Sequence, residues 1–305
     1  MKEQATERKM NMNSEPVYID CEAGEDHFYY YKKVFFYSLV IAVAIMLPFV
    51  IVEMIRVHRP IFLYYGDYNV QQISFYRHCV DMVRNGDFGW DWYTDLGSNF
   101  IGSYSYYMLG SPFFWILCLF PASWTPYLMA PTFVLKYITC ALISYAYIKR
   151  FVRKQNYAVI GALLYTFSGF QIYNTFFNQF HEVVALFPLL LIGMEELVQN
   201  NRKGLFALAV ALNAACNYFM FVGQVAFCIL YFVFRLSQKS FKITLKKFGL
   251  LAFESVLGVA MGCIIFLPGV LAVWDNPRIS GGLSGINMLI YYDVNGNFYW
   301  QRYGH

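Results

Sequence analysis

Charge is what this 305-residue chain has least of. Only 14% of its residues are Asp, Glu, Lys or Arg, where a soluble domain carries roughly 25%. With 58% hydrophobic residues and a mean hydropathy of +0.42, that scarcity excludes the soluble class. No basic stripe interleaved with stacking aromatics marks a polar surface, so nucleic acid is not expected as a partner. The seven cysteines contain no CxxC pair, and most lie in apolar runs, where a thiol behaves as a small hydrophobe. A zinc site or a disulfide framework is therefore not expected. The opening residues lack an apolar h-region and a small-residue cleavage site, so they are not a signal peptide. They read as a polar cytoplasmic tail, residues 1–33.

What is present is a series of apolar runs and many aromatics, which at 20% suit a protein with two membrane interfaces to anchor. Lys32 and Lys33 precede a run of about 22 residues, 34–55; a span needs about 20. Basic residues flank the cytoplasmic side, so the N-terminus is expected inside and the loop from 56 to 126 outside. Residues 106–120 are apolar but too short, at about 22 Å as a helix, for a core of about 30 Å. Pro112 interrupts them and Pro121 ends them. They read as an interfacial or re-entrant helix. Spans are then expected at 127–148, 157–173, 183–198, 204–218, 223–236 and 248–271. That order leaves Lys149, Arg150, Arg153, Lys154, Arg202, Lys203, Arg235, Lys239, Lys242, Lys246 and Lys247 inside. The expectation is an all-α polytopic membrane protein of about seven transmembrane helices, residues 34–273, with outer-face juxtamembrane helices in its first loop. Residues 274–305 read as an outer-face segment that stops without a closing element.

The stretch from 64 to 112 is the longest polar interval before that final segment. It concentrates acids, amides, glycines and aromatics outside the hydrocarbon, where backbone is free to shape a site. Asp67 is either the cap of a helix over 68–84, which stops at Asn85-Gly86, or a general base at the membrane surface. Asp87, Asp91 and Asp95 form a second acidic group. The glycines around Asp95-Leu96-Gly97-Ser98-Asn99 permit close backbone approach to a ligand, or simply a turn. Trp90, Trp92, Tyr93, Tyr104, Tyr106 and Tyr107 suit sugar stacking or interfacial anchoring. Arg77, His78 and the outer turn with Asn178, Gln179, His181 and Glu182 offer groups for a phosphate or a sugar, or a solvated face. Inside the bundle, Lys136 and Glu254 are costly, at about 2.5–3.5 kcal/mol each at a span centre. They read as a buried ion pair or as side chains snorkelling to opposite interfaces.

Several of these segments resemble the YfhO family of bacterial polytopic membrane proteins. They are Gly66-Asp67-Tyr68 with Gln71 and Gln72; Asp95 to Phe100 running into Gly102, Tyr106-Tyr107 and Ser111-Pro112-Phe113; Ser168-Gly169-Phe170; and Pro188-Leu189 with Gly193. The resemblance implies a GT-C type glycosyltransferase in the bacterial cell membrane. It would use a polyprenyl-phosphate sugar as donor and a cell-envelope polymer such as lipoteichoic acid as acceptor, on the outer face. Carried over, Asp67 is the catalytic base and Asp95 a second catalytic candidate. Arg77, Gln71, Asn99, Tyr106 and His181 are candidates for substrate binding. No cofactor is implied; a divalent cation is compatible with the acidic loop, although no ligand spacing demands one. Family chains are longer, so this one reads as a truncated member. The rival class is a transporter or lipid flippase without covalent chemistry, which would use Lys136 and Glu254.

Overall fold

The computed structural model describes residues 27–238, 241–274, 290–292 and 298–300. The expected tail up to residue 26 and most of the segment after 274 lie outside the described residues. The chain is a helical membrane protein, as composition requires. Helix α1 is His27–Val57, seven residues longer at its start than the apolar run alone suggests. A π-helical turn, Tyr68–Gln72, leads into α2, Ile73–Asn85. A short hairpin follows, β1 Trp90–Asp91 against β2 Ser98–Asn99, paired Trp90↔Asn99. Then come α3, Phe100–Tyr104, a second π-helical turn, Ser105–Leu109, and α4, Pro112–Leu117. The long helices resume with α5, Thr125–Ile148, and α6, Gln155–Thr166. A short α7, Gly169–Tyr173, precedes α8, Asn178–Asn200. Last in the bundle are α9, Leu205–Cys216, α10, Tyr218–Leu236, and α11, Leu245–Trp274. Beyond it, β3 Ile290–Tyr292 pairs antiparallel with β4 Phe298–Trp300.

Helices cover the seven expected spans, although not one to one; among the described residues four helices are long and apolar enough to cross a membrane: α1, α5, α10 and α11. The run expected at 157–173 is broken at Phe167 and Ser168 into α6 and α7. Helix α8 has the length, 23 residues, but carries Glu182, Glu195 and Glu196. The 12 residues of α9 are apolar but short. Residues 106–120 form no span. Pro112 is the first residue of α4, where its missing N–H costs nothing. The Ser111 hydroxyl accepts from the N–H groups of Phe113 and Phe114 at 3.1 and 3.2 Å.

Two packing centres hold the bundle. One surrounds α5, which meets α1, α6 and α8. The other is α9 wedged between α8 and α11. Helices in lipid gain little from the hydrophobic effect, so close backbone approach through small residues has to supply the contacts. Gly258 and Gly262 on α11 give that approach. A Cβ at Gly258 would stand 2.5 Å from the Ala207 carbonyl oxygen, and one at Gly262 3.2 Å from that of Ala211. Glu254, one turn earlier on the same face, accepts from the N–H groups of Gly204 at 2.8 Å and Ala207 at 3.2 Å. It thereby satisfies the open start of α9. This corrects both readings of Glu254: it neither pairs with Lys136 nor reaches for an interface.

The loop between α1 and α5 packs into this bundle. At one contact Gly110 lies against the end of α9, where an added Cβ would meet the Ala215 carbonyl oxygen at 1.8 Å. Backbone cannot yield as a side chain does. Gly110→Ala is expected to destabilise the chain by more than the ~1–3 kcal/mol of ordinary overpacking, read as a lowered midpoint of thermal unfolding in detergent. A midpoint equal to wild type would mean that the loop is free to lift off α9.

Candidate functional site

The loop is built as a platform with two ordered elements. The first carries Asp67. The Asn69 side chain staples the backbone before it: its Oδ1 accepts from Tyr64 N–H at 2.9 Å and its Nδ2 donates to the Tyr64 carbonyl at 3.0 Å. Gly66, at φ +55°, makes the turn inside that staple, in the left-handed region that glycine enters freely. Asp67 emerges at the start of the π-helical turn, exposed, and its side chain makes no capping hydrogen bond. The cap reading of Asp67 is therefore corrected. Its carboxylate instead acts on Tyr107. Burial raises the pKa of the Tyr107 phenol, the hydrogen bond from Gln71 works against the rise, and the negative charge of Asp67 adds to it. Gln71 Nε2 donates to the Tyr107 hydroxyl at 3.2 Å. Tyr106, half-buried, sets its ring 5.1 Å from that of Tyr107 and 5.9 Å from that of Tyr218. Gln71, Tyr107 and Tyr106 are thus joined side by side, and the charge of Asp67 is felt by the Tyr107 phenol; these four make up the Asp67 patch.

The second element is the hairpin. Its ordered acid is Asp91, buried, where the sequence offered three acids alike. Asp91 accepts from the Thr94 hydroxyl at 2.5 Å and Tyr93 N–H at 2.9 Å, and lies 2.6 Å from His78 Nε2. Burial works to raise the pKa of this carboxyl; Thr94, His78 and Tyr93 together outweigh it and leave the pKa below the ordinary value. The sign follows: Asp91 contributes stability in full above an ordinary carboxyl pKa of ~3.9, and the contribution is lost as pH falls below that. The thermal midpoint of wild type is expected to fall between pH 5 and 3 more steeply than that of Asp91→Asn. Parallel curves would remove Asp91 as the hairpin's anchor. Asp95 sits at the tip, exposed, with φ 49°. Asn99 is the cap of α3, accepting from Gly102 N–H at 2.7 Å. Trp92, Tyr93 and Leu96 stand exposed around the tip.

Beneath both elements lies a buried polar layer that sequence reasoning did not assemble. Lys136 on α5 lies 2.5 Å from Glu182 Oε1 and donates to Asn178 Oδ1 at 2.6 Å, both on α8. Cys216 Sγ donates to Glu182 Oε2 at 3.3 Å. Both members of the pair are fully buried. Lys136 is therefore partnered by Glu182 and not by Glu254. The loop reaches down to this layer: the rings of Tyr76 on α2 and Phe113 on α4 lie 6.0 and 5.7 Å from Lys136 Nζ. Tyr68, Gln72 and Tyr76 follow one another on the same buried side of the loop.

The residues expected to bind substrate divide accordingly. Gln71 and Tyr106 share the Asp67 patch, while Asn99 serves the second element as a cap. Arg77 is exposed on α2. His181, expected to face the outer side with Asp67, is instead fully buried, its ring edge-on to those of Phe133 at 4.9 Å and Tyr137 at 5.4 Å. The reason is that α8 begins at Asn178, five residues before its apolar run, so the supposed outer turn is the buried first part of a helix. His78, which read as a phosphate contact or a solvated face, is the partner of Asp91. Among the described residues no group of three or more His, Cys, Asp or Glu side chains is placed to hold a metal ion.

Comparison with known proteins gives one match. The family model described as bacterial membrane protein YfhO matches residues 38–290, well over half of the chain. No curated protein and no solved structure matches.

Proposed function

The chain belongs to the YfhO family of bacterial membrane proteins, and from that premise we propose that it is a membrane glycosyltransferase. It moves a sugar from a polyprenyl-phosphate donor to a cell-envelope polymer such as lipoteichoic acid. The observation that carries this reading is the Asp67 patch: an exposed carboxylate with no cap to make, held on a stapled turn beside Gln71 and the Tyr107 hydroxyl. In the proposed reaction Asp67 takes the proton of the acceptor hydroxyl. That oxygen attacks the anomeric carbon, and the bond from this carbon to the lipid phosphate oxygen breaks with its electron pair leaving on the phosphate. The sugar inverts. Charge grows on the phosphate as the bond breaks, so hydrogen-bond donors nearby stabilise the transition state more than the ground state. Arg77, an exposed cation on α2, is assigned that task. The patch faces the outer side, and the N-terminus is cytoplasmic.

The transporter reading rested on Lys136 and Glu254. Both are satisfied within the fold, by Glu182 and by the start of α9, which withdraws its main support. The test uses membranes carrying this chain and a radiolabelled polyprenyl-phosphate sugar, with label followed into envelope polymer. Transfer by wild type is the expected result. Export of an intact labelled lipid, with no label in polymer, would return the chain to the transporter class.

A further inference from the structure

One feature left unused by this reading is an apolar crevice of about 560 Å³ that runs between α8, α9, α10 and α11. Its walls come from four helices: Met194 on α8, Phe206 on α9, Val225 and Phe232 on α10, and Phe248 and Val256 on α11. Helix α10 packs on α8 and α9 and meets α11 toward both its ends, where Tyr218 lies against Gly269 and where Phe232 faces Phe248 at 6.0 Å. The outer side of α10 exposes Phe219, Val222, Ile229, Leu230 and Val233, so that side faces lipid. The crevice is thus open to the bilayer. A void of this size left empty would forfeit contacts along every wall, and its lining is too apolar to hold water.

Its mouth is basic. Lys246 and Lys247 precede Phe248 on α11, Lys203 precedes Phe206 at the start of α9, and Lys242 follows Phe241, whose ring is 5.9 Å from that of Phe232. Lys203, Lys242 and Lys246 are exposed, and among the described residues no carboxylate pairs with them. The nearby acids are occupied: Glu195 by Arg235 at 2.7 Å, Glu196 by Arg150, and Glu254 by α9. We propose that the crevice holds one acyl chain of an anionic bilayer phospholipid, with its phosphate at the mouth among Lys203, Lys242 and Lys246. The basic mouth lies away from the Asp67 patch, so the occupant is assigned as a bilayer phospholipid and not as the sugar donor. The loop carrying the Asp67 patch docks at the opposite ends of the same helices, against Ala215 on α9 and Gly269 and Ala272 on α11. Gly269 is about 15 Å along the helix from Val259, the crevice's furthest wall on α11, at 1.5 Å per residue. A juxtamembrane lysine cluster attracts anionic headgroups, and the crevice supplies the chain site that makes the attraction selective in place.

The test places the full chain in phosphatidylcholine nanodiscs doped with a phosphatidylglycerol or a phosphatidylcholine carrying a diazirine on its acyl chain. After irradiation, labelled peptides are mapped. The phosphatidylglycerol probe is expected to label residues 221–232 and 248–259 at least about fivefold more than the phosphatidylcholine probe, an electrostatic preference. The variant Lys203→Gln/Lys242→Gln/Lys246→Gln alters only exposed side chains, so it folds; it should lose that excess while labelling of α1 stays unchanged. Val225→Trp should lose crevice labelling with both probes. Equal labelling by the two probes, or an excess that survives the triple substitution, overturns the proposal. Preferential labelling by a polyprenyl-phosphate probe would give the crevice to the donor, and a cross-link between chains would give it to a second copy; either result also overturns it.

Discussion

Asp67→Asn is expected to lower sugar transfer by about 10²–10⁴-fold, the usual contribution of a positioned base, and to leave the thermal midpoint of the purified chain unchanged. The two halves of that expectation come from one observation. Asp67 is exposed and caps nothing, so removing its charge costs the fold no more than an ordinary surface substitution, within ~0.5 kcal/mol. Its effect is then confined to whatever approaches the patch. Asp95→Asn is the matched control. Asp95 occupies the left-handed region at φ 49°, which asparagine tolerates well, so the hairpin keeps its shape. Transfer by Asp95→Asn should fall far less than by Asp67→Asn. If the two variants fall alike, or if Asp67→Asn transfers like wild type at equal expression, Asp67 is not the base.

Lys136→Met or Glu182→Gln is expected to cost about 3–5 kcal/mol, because each leaves an uncompensated partner in a fully buried site. Asn178 and Cys216 remain beside the survivor, and they soften the loss without removing it. The double variant Lys136→Met/Glu182→Leu should recover most of the stability, since replacing a buried pair by apolar groups of similar volume is often neutral or better. Fluorescence-detected gel filtration after a temperature ramp reads both. Single variants as stable as wild type would mean that the pair is hydrated; a double variant worse than either single would mean that the layer is held by more than charge.

Length and hydropathy made the bundle legible: the apolar runs at 34–55, 127–148 and 248–271 each sit inside a helix. Pro112 and Pro121 kept 106–120 from being read as a span. The ends were harder. Helix α8 starts with Asn178-Gln179-Phe180-His181-Glu182, which reads as a polar turn because its polar side chains point into the protein and not to lipid. Pairing was illegible for the same reason. Lys136 could be recognised as expensive, but its partner is 46 positions away on a helix that packs beside α5, and sequence separation says nothing of that contact. In the loop, the staple by Asn69 and the anchoring role of Asp91 depend on side-chain direction within a few residues. Asp87, Asp91 and Asp95 were chemically equivalent until the hairpin buried one of them.

The buried pair also imposes an order on synthesis. Helix α5 leaves the ribosome carrying Lys136, and Glu182 arrives only with α8, after α6 and α7 have been made. Until then the ammonium has no carboxylate, and a lone lysine at the centre of a span costs ~2.5–3.5 kcal/mol on the insertion scale. Helix α5 is therefore a reluctant tenant of the lipid phase until α8 joins it. Chains halted before Asn178 should release α5 to alkaline extraction more readily than chains halted after Asn200. The charge that steadies the finished protein acts during biogenesis as a timer on when its second long helix can commit to the membrane.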